Sequence, residues 1–89
     1  MDPVRLVMSK HALEQIAERR LDRLAVERVA MQPEWTESDP QPGVIRLFGP
    51  APEHGGRVLR VVVADRGLER HVLTAVLDRN ARRRKQRRR

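Results

Sequence analysis

The most apolar stretch of the chain, residues 57–64 (RVLRVVVA), constrains the fold more than any other feature. Its β-branched residues predict a strand, and the most apolar strand of a sheet is expected to have a neighbour on each side. We therefore expect it to be the central strand of a sheet. A chain of 89 residues without Cys forms neither disulfides nor thiolate metal sites, so one small aliphatic core has to hold that sheet together.

The other predicted strands flank this central run. They are short, rich in β-branched residues and separated by turn-forming sequence. We predict them at residues 4–8, 44–48 and 70–77, with a further short strand near residues 35–37 inside a Pro-rich loop. The Gly- and Pro-rich residues 49–56 and the hairpin-type residues 65–68 are the connections.

Two amphipathic helices are predicted between the first strand and the rest of the sheet. Ser9 is a good N-cap, and apolar residues then recur with helical spacing. The same pattern starts again at Asp22 and runs to about Met31, until Pro33 ends it. Because only one or two residues join the helices, they form a tight helical corner.

The predicted order is β-α-α-β-β-β, an α+β sandwich of two layers in which a helical hairpin packs on one face of an antiparallel sheet. Alternation along the central strand puts Arg60 on the other, open face, and Arg46 has the same place on the strand before it. On the last strand, either the set with His71 or the set with Arg70 and Thr74 shares that face. Such a face is either a polar, cross-strand-paired surface or one that holds a phosphate chain.

The formal net charge of +7 lies entirely at the C-terminus. Residues 1–81 contain twelve Lys and Arg against twelve Asp and Glu, whereas residues 82–89 (RRRKQRRR) contain seven cations and no acid. We predict one domain over residues 1–81 and a basic tail over 82–89 that is disordered or at most a frayed extension of the element before it, since mutually repelling cations bury nothing. The tail either only solubilises the protein or binds polyanions such as RNA. Its cations are Arg82, Arg83, Arg84, Lys85, Arg87, Arg88 and Arg89.

Several short motifs occur in a characteristic order: Ser9-x-His11-Ala12, Glu18-Arg19-x-Leu21-Asp22, Val26, Pro33-Glu34 and Val72-Leu73-Thr74-Ala75-Val76. Together they resemble a small bacterial family, described as a domain of unknown function, of the RelE/ParE toxin superfamily. The resemblance covers most of residues 4–78 and implies a RelE-like fold and a toxin-antitoxin protein that acts on RNA, with the ribosome and an antitoxin as partners. Arg20 stands where the family has Gly, so the helix ends either without the preferred left-handed residue or with a mildly strained one. The chain has no Tyr, whereas several ribosome-dependent RNases of the superfamily use one.

Metal-independent RNA cleavage requires an acid, a base and cations for the developing phosphorane charge. The candidate catalytic residues are His11, Arg46, Arg60 and Thr74. Arg19 and Arg70 join the tail cations as candidate nucleic-acid contacts. Each has a structural alternative: His11 as a packed helix residue, and Arg19 as a clamp of the helical corner bound to Glu18, Asp22 or a backbone carbonyl.

The remaining motifs argue against other classes of function. Three widely spaced His residues predict no metal site, and no Gly-rich phosphate loop indicates a cofactor. Trp35 either stacks on a base or closes the edge of the core. No apolar run approaches a membrane span and no signal-like N-terminus is present, so we expect a cytoplasmic protein without membrane contact.

Two classes of function therefore remain from the sequence. The first is a toxin-like RNA-binding protein or mRNA endoribonuclease. The alternative is a non-catalytic module of the same fold that binds nucleic acid or a protein partner, and a third reading is a structural subunit that docks through its tail.

Overall fold

Five strands, three α-helices and one short 3-10 turn follow one another in the computed structural model, which describes residues 4–87 and the side chains of residues 4–86. In chain order they are β1 (Arg5–Met8), α1 (Lys10–Glu18), α2 (Arg23–Met31), β2 (Trp35–Ser38), β3 (Val44–Ala51), the turn Pro52–His54, β4 (Arg57–Arg66), β5 (Glu69–Leu77) and α3 (Ala81–Arg87). The α+β class, both helices of the corner and the short strand at Trp35 are confirmed. The loop predicted from residue 49 is wrong at its start, because β3 continues to Ala51.

All five strands form one sheet in the order β1-β5-β4-β3-β2, so the apolar run in β4 is the central strand, as predicted. The prediction of an antiparallel sheet is wrong at one edge. Strands β2 to β5 form an antiparallel meander, but β1 pairs with β5 in parallel, in the register Leu6 to Arg70. The two helices between β1 and β2 carry the chain across the whole sheet, and no hairpin turn dictates the direction of β1.

The helices are capped as the sequence predicts. The side chain of Ser9 accepts a hydrogen bond from the backbone N–H of Ala12 at 3.0 Å, and the side chain of Asp22 accepts one from the N–H of Ala25 at 2.9 Å. Helices α1 and α2 then bury their apolar stripes on one side of the sheet, which we call the helix face. The core there contains Ala12, Ile16, Val26, Val29, Leu47, Leu59, Val61, Val63, Val72 and Ala75.

At the corner between α1 and α2, the structure has the strained residue, one of the two alternatives that the resemblance left open. Arg20 has a φ of 53°, in the left-handed region that favours glycine. The N–H of Leu21 donates to the carbonyl of Ile16 at 2.9 Å, and the N–H of Arg20 donates to the carbonyl of Ala17 at 3.2 Å. These two bonds, with Leu21 and Ile16 both buried, make a Schellman motif with Arg in the position of Gly.

A β-bulge in β5 decides which side chains reach the other side of the sheet, the outer face. Val62 pairs with Thr74 but Val63 pairs with Val72, so Leu73 is an extra residue on β5. Thr74 therefore shares the outer face with Val62, and His71 shares it with Ala64. Neither alternative for the last strand holds as a whole, because Arg70 lies on the helix face, where its Nη1 donates to the carbonyl of Ala30 at 2.7 Å.

The disordered tail is not confirmed, because residues 82–87 belong to helix α3, which begins at Ala81. Ala81 is fully buried in a small outer-face cluster with Phe48, and Arg84 is bonded to Asp78 at the end of β5. One buried methyl group and one paired carboxylate thus hold the start of the basic segment against the sheet. The outer face is partly covered rather than open, and the last two residues lie outside the described part of the chain.

Candidate nucleic-acid interface

Three of the four candidate catalytic residues lie on the outer face. Arg46 pairs across the sheet with Val62, which pairs with Thr74, and Arg60 lies in the neighbouring row, opposite Phe48. Two strand spacings separate Arg46 from Thr74, a distance of about 10 Å between backbones. The sheet therefore brings these three residues to one surface.

Both outer-face arginines are neutralised by carboxylates from the loops that follow their neighbouring strands. The Nε of Arg46 donates to Oδ2 of Asp39 at 2.9 Å, and Nη1 of Arg60 lies 3.2 Å from Oδ2 of Asp78. The backbone N–H of Gln41 and the guanidinium of Arg46 both hold the pKa of Asp39 below its usual value. The outer face is thus a paired polar surface rather than a bare phosphate site.

Asp78 is the connection between the sheet and α3. Its carboxylate, only 8% exposed, accepts hydrogen bonds from Nη2 of Arg84 at 2.8 Å and from the backbone N–H of Asn80 at 3.0 Å, in addition to its pairing with Arg60. The bond from Arg84 is the main cause of a lowered pKa at Asp78. Asp78 thus serves two arginines, and its bond to Arg84, together with the charge of the buried carboxylate of Glu37, raises the pKa of Arg84.

Trp35 closes the edge of the outer-face cluster. Its ring stacks on Phe48 with the centroids 5.0 Å apart and an angle of 4° between the planes. The Nζ of Lys85 lies 4.6 Å and the guanidinium carbon of Arg82 lies 5.7 Å from the ring centroid, within the range of cation–π contacts. Trp35 therefore has the core-edge arrangement, and α3 lies over it.

His11 does not join the outer-face residues. It is exposed on α1, the helix whose Ala12 and Ile16 pack into the helix face, and the sheet lies between it and the outer-face arginines. Its Nε2 lies 3.0 Å from Nε2 of Gln15, whose Oε1 accepts the backbone N–H of Ala75. Because Oε1 of Gln15 is the acceptor for Ala75, its Nε2 is the donor in the hydrogen bond to Nε2 of His11.

Arg19, together with Gln15, covers an edge of strand β5. Strand β1 pairs with β5 only as far as Val72, so the next residues of β5 have no strand beside them. Gln15 and Arg19 fill this place: Nη1 of Arg19 donates to the carbonyl of Ala75 at 2.6 Å. The structural alternative of a clamp on a backbone carbonyl describes this contact, and it protects an otherwise open edge.

The other two histidines have local partners. His71 lies 2.9 Å from Oε1 of Glu69, and this bond is the main cause of a lowered pKa at Glu69. The Nε2 of His54 accepts the backbone N–H of Asp22 at 3.0 Å, at the start of α2. In residues 4–87, no three His, Asp or Glu side chains come together as a metal site, and no helix has the length and apolar character of a membrane span.

Several cations without a carboxylate partner lie on or beside α3. Arg83 and Lys85 on the helix, and Arg57 and Arg79 beside it, make no ion pair with any described residue, and Arg82 shares only Glu34 at 3.4 Å. We call these five residues the C-terminal cationic surface. The side chain of Arg87 and both Arg88 and Arg89 lie outside the described part of the chain.

Sequence reasoning did not single out Arg57 or Arg79. Arg57 follows the Gly55-Gly56 turn and begins β4, and Arg79 lies two residues before α3. In the balanced count of residues 1–81, neither stands out. The only sequence signal for a role of Arg79 is that it almost adjoins the basic run. Arg57 has no such signal, because only the sheet brings the start of β4 next to the end of β5.

The fold and this surface define a small α+β domain with two helices on one face of a mixed sheet and a basic helix on the other. The model of the family described as "Domain of unknown function (DUF4258)" matches residues 8–77, and the chain belongs to that family. The comparison with curated proteins and the comparison with solved structures each find no match.

Proposed function

We propose that the protein binds RNA through the C-terminal cationic surface, as a cytoplasmic toxin-like member of the RelE/ParE superfamily. One observation carries the proposal: the excess of positive charge lies in residues 82–89, and the helix that contains the first of these residues is anchored to the sheet by Ala81 and Asp78. The resemblance to RelE/ParE toxins makes RNA at the ribosome the polyanion that we favour.

Anchoring of α3 changes what its charges can do. A free tail meets a polyanion in any direction, whereas the helix fixes the backbone of Arg82, Arg83 and Lys85 and places Arg82 beside Arg57 and Arg79. Each phosphate neutralised by such a cation releases condensed counterions, which favours binding at low salt and carries no sequence preference. We therefore expect tight binding with little discrimination between RNA sequences.

Binding without cleavage by the predicted catalytic set fits the geometry better than an endoribonuclease. His11, the candidate acid or base, is on the other side of the sheet from Arg46 and Arg60, and both of those arginines are paired with acids. General acid–base catalysis needs its group within hydrogen-bond reach of the reacting atoms. The absence of Tyr from the sequence supports the same choice.

An antitoxin is the protein partner that this proposal implies. An acidic segment that covers the C-terminal cationic surface would compete with RNA for the same charges. Such a segment lowers RNA affinity when added in excess, and the competition weakens with rising salt.

Salt-dependent fluorescence anisotropy with a labelled single-stranded RNA tests the proposal. The test variant replaces Arg82, Arg83 and Lys85 by Gln, which leaves Ala81 and Arg84 to anchor the helix. Three fewer cations should lower the slope of log K against log salt by about 2, at about 0.7 per phosphate on single strands. The matched control replaces three exposed cations elsewhere, Lys10, Arg23 and Arg66, by Gln and should leave the slope unchanged.

Two results would contradict the proposal. Equal losses in the test and control variants would show that only net charge matters, and the absence of RNA binding by the intact chain would remove the function. Regulated expression in a bacterial host, with growth and primer extension on mRNA, tests the toxin aspect. We expect growth arrest without new 5′ ends; new ends that disappear in a His11→Ala variant would establish cleavage instead.

A further inference from the structure

A pocket of about 290 Å³ lies where the start of β4 meets the segment between β5 and α3. Its walls are Gly56, Arg57 and Val58 on one side and Asp78, Arg79 and Arg82 on the other. This volume is near the lower end of the range for small-molecule sites and is suited to one nucleotide rather than to a longer ligand. The pocket is separate from the predicted catalytic residues on the sheet.

The electrostatic balance of this pocket is positive. Arg57 and Arg79 make no ion pair with any described residue, and Arg82 reaches only Glu34, at 3.4 Å. The acid in the wall, Asp78, is already bonded to Arg60 and Arg84, which offset its charge. Three arginines therefore line one cavity, and Asp78 is the one acid among the residues of its wall.

We propose that this pocket binds a phosphate monoester, the terminal phosphate of an RNA chain or of a mononucleotide. A monoester carries a charge of about −1.5 to −2 at neutral pH, against −1 for each internal phosphodiester, and so matches several guanidinium groups better. Guanidinium groups also donate in pairs to phosphate oxygens. Val58 supplies an apolar wall beside the charges. The inference rests on the proposed function for the biological source of the ligand, but not for the chemistry of the site.

Amide NMR titration of the intact, isotope-labelled chain tests the pocket directly. The probes are 5′-AMP, adenosine, inorganic phosphate, and the dinucleotide ApA with and without a 5′-phosphate. We expect 5′-AMP to shift the amides of Gly56, Arg57 and Val58, inorganic phosphate to shift them more weakly, and adenosine to leave them in place. The 5′-phosphorylated dinucleotide should bind about tenfold more tightly than ApA, since the additional charge-assisted hydrogen bonds are made only to the monoester.

A matched pair of variants separates the pocket from general charge. Arg57→Ala with Arg79→Ala should weaken 5′-AMP binding at least tenfold. Lys10→Ala with Arg66→Ala removes two exposed, unpaired cations elsewhere and should leave it unchanged; Arg66 ends the strand that Arg57 begins, about 30 Å away. The unfolding midpoints of both variants, measured in urea, show that they remain folded.

The outcomes distinguish this inference from the proposed function. The pocket proposal is overturned if 5′-AMP, added at ten times the concentration used for inorganic phosphate, shifts none of these amides. It is also overturned if both double variants lose 5′-AMP binding equally. RNA binding in the anisotropy assay would then still stand on the α3 cations alone. If the intact chain binds neither RNA nor 5′-AMP, the two proposals are overturned together. Equal affinity of the intact chain for the two dinucleotides would overturn the preference for a monoester.

Discussion

Substitution of Arg20 by Gly is expected to stabilise the domain by about 0.5–1 kcal/mol. An L residue in the left-handed region costs about 1–2 kcal/mol, and Gly avoids this but loses about 0.5–1 kcal/mol through its greater freedom in the unfolded chain. The Arg20 side chain is exposed and makes no bond with any described residue, so no contact is lost. In a domain of this size, the gain corresponds to a rise in Tm of about 2–8 °C.

Urea and thermal unfolding followed by circular dichroism measure this effect. An Arg20→Ala variant is the matched control, because it removes the same positive charge and keeps the Cβ; we expect it to gain nothing. Arg20→Asn should fall between the two, since Asn tolerates the left-handed region. A gain in Arg20→Ala equal to that in Arg20→Gly would refute the reasoning, because charge rather than backbone strain would then explain it. A loss of stability in Arg20→Gly would refute it as well.

Three further predictions concern other contacts. Ala81→Asp puts a carboxylate at a fully buried position and should detach α3 from the sheet. The emission of Trp35 should then move to longer wavelength, whereas Ala81→Ser should keep the helix attached and the emission unchanged. The hydrogen bond from Arg28 lowers the pKa of Glu53 to about 2 from 4.5, so the stabilising effect of this ion pair is complete above pH 4.5 and is lost as the pH falls to about 2. The free energies of unfolding in urea of the wild type and of Glu53→Gln should therefore converge over that pH window. A difference that stays constant with pH would contradict this prediction. Arg19→Ala should lower the free energy of unfolding by about 1 kcal/mol through loss of its bond to the backbone of β5, and an unchanged midpoint would show that this edge needs no cover.

The parts of the fold that depend on neighbours in sequence could be predicted. The N-caps at Ser9 and Asp22 follow from side chains that bond to the backbone three residues further on, and the structure has both of them. The central position of residues 57–64 also follows, because only the middle of a sheet buries such a run on both faces. Local chemistry acts in the same way whatever the rest of the chain does.

The direction of β1 and the fate of the basic segment could not be predicted in this way. Alternation has the same period in parallel and antiparallel strands, so the pattern of residues 4–8 carries no direction. The charge of residues 82–87 predicts repulsion and disorder, but the burial of Ala81 and the bond from Arg84 to Asp78 outweigh it. Both features depend on partners far away in the sequence.

For the candidate site, the sequence by itself determined how much charge there is and where along the chain it lies. Only the tertiary structure decided which of those charges are free. It neutralised Arg46 and Arg60 with Asp39 and Asp78, kept His11 on the other side of the sheet, and joined Arg57 and Arg79 to the basic helix. The physical reason is that ion pairs and surfaces depend on distance in space, and a count of residues along a chain contains no such distances.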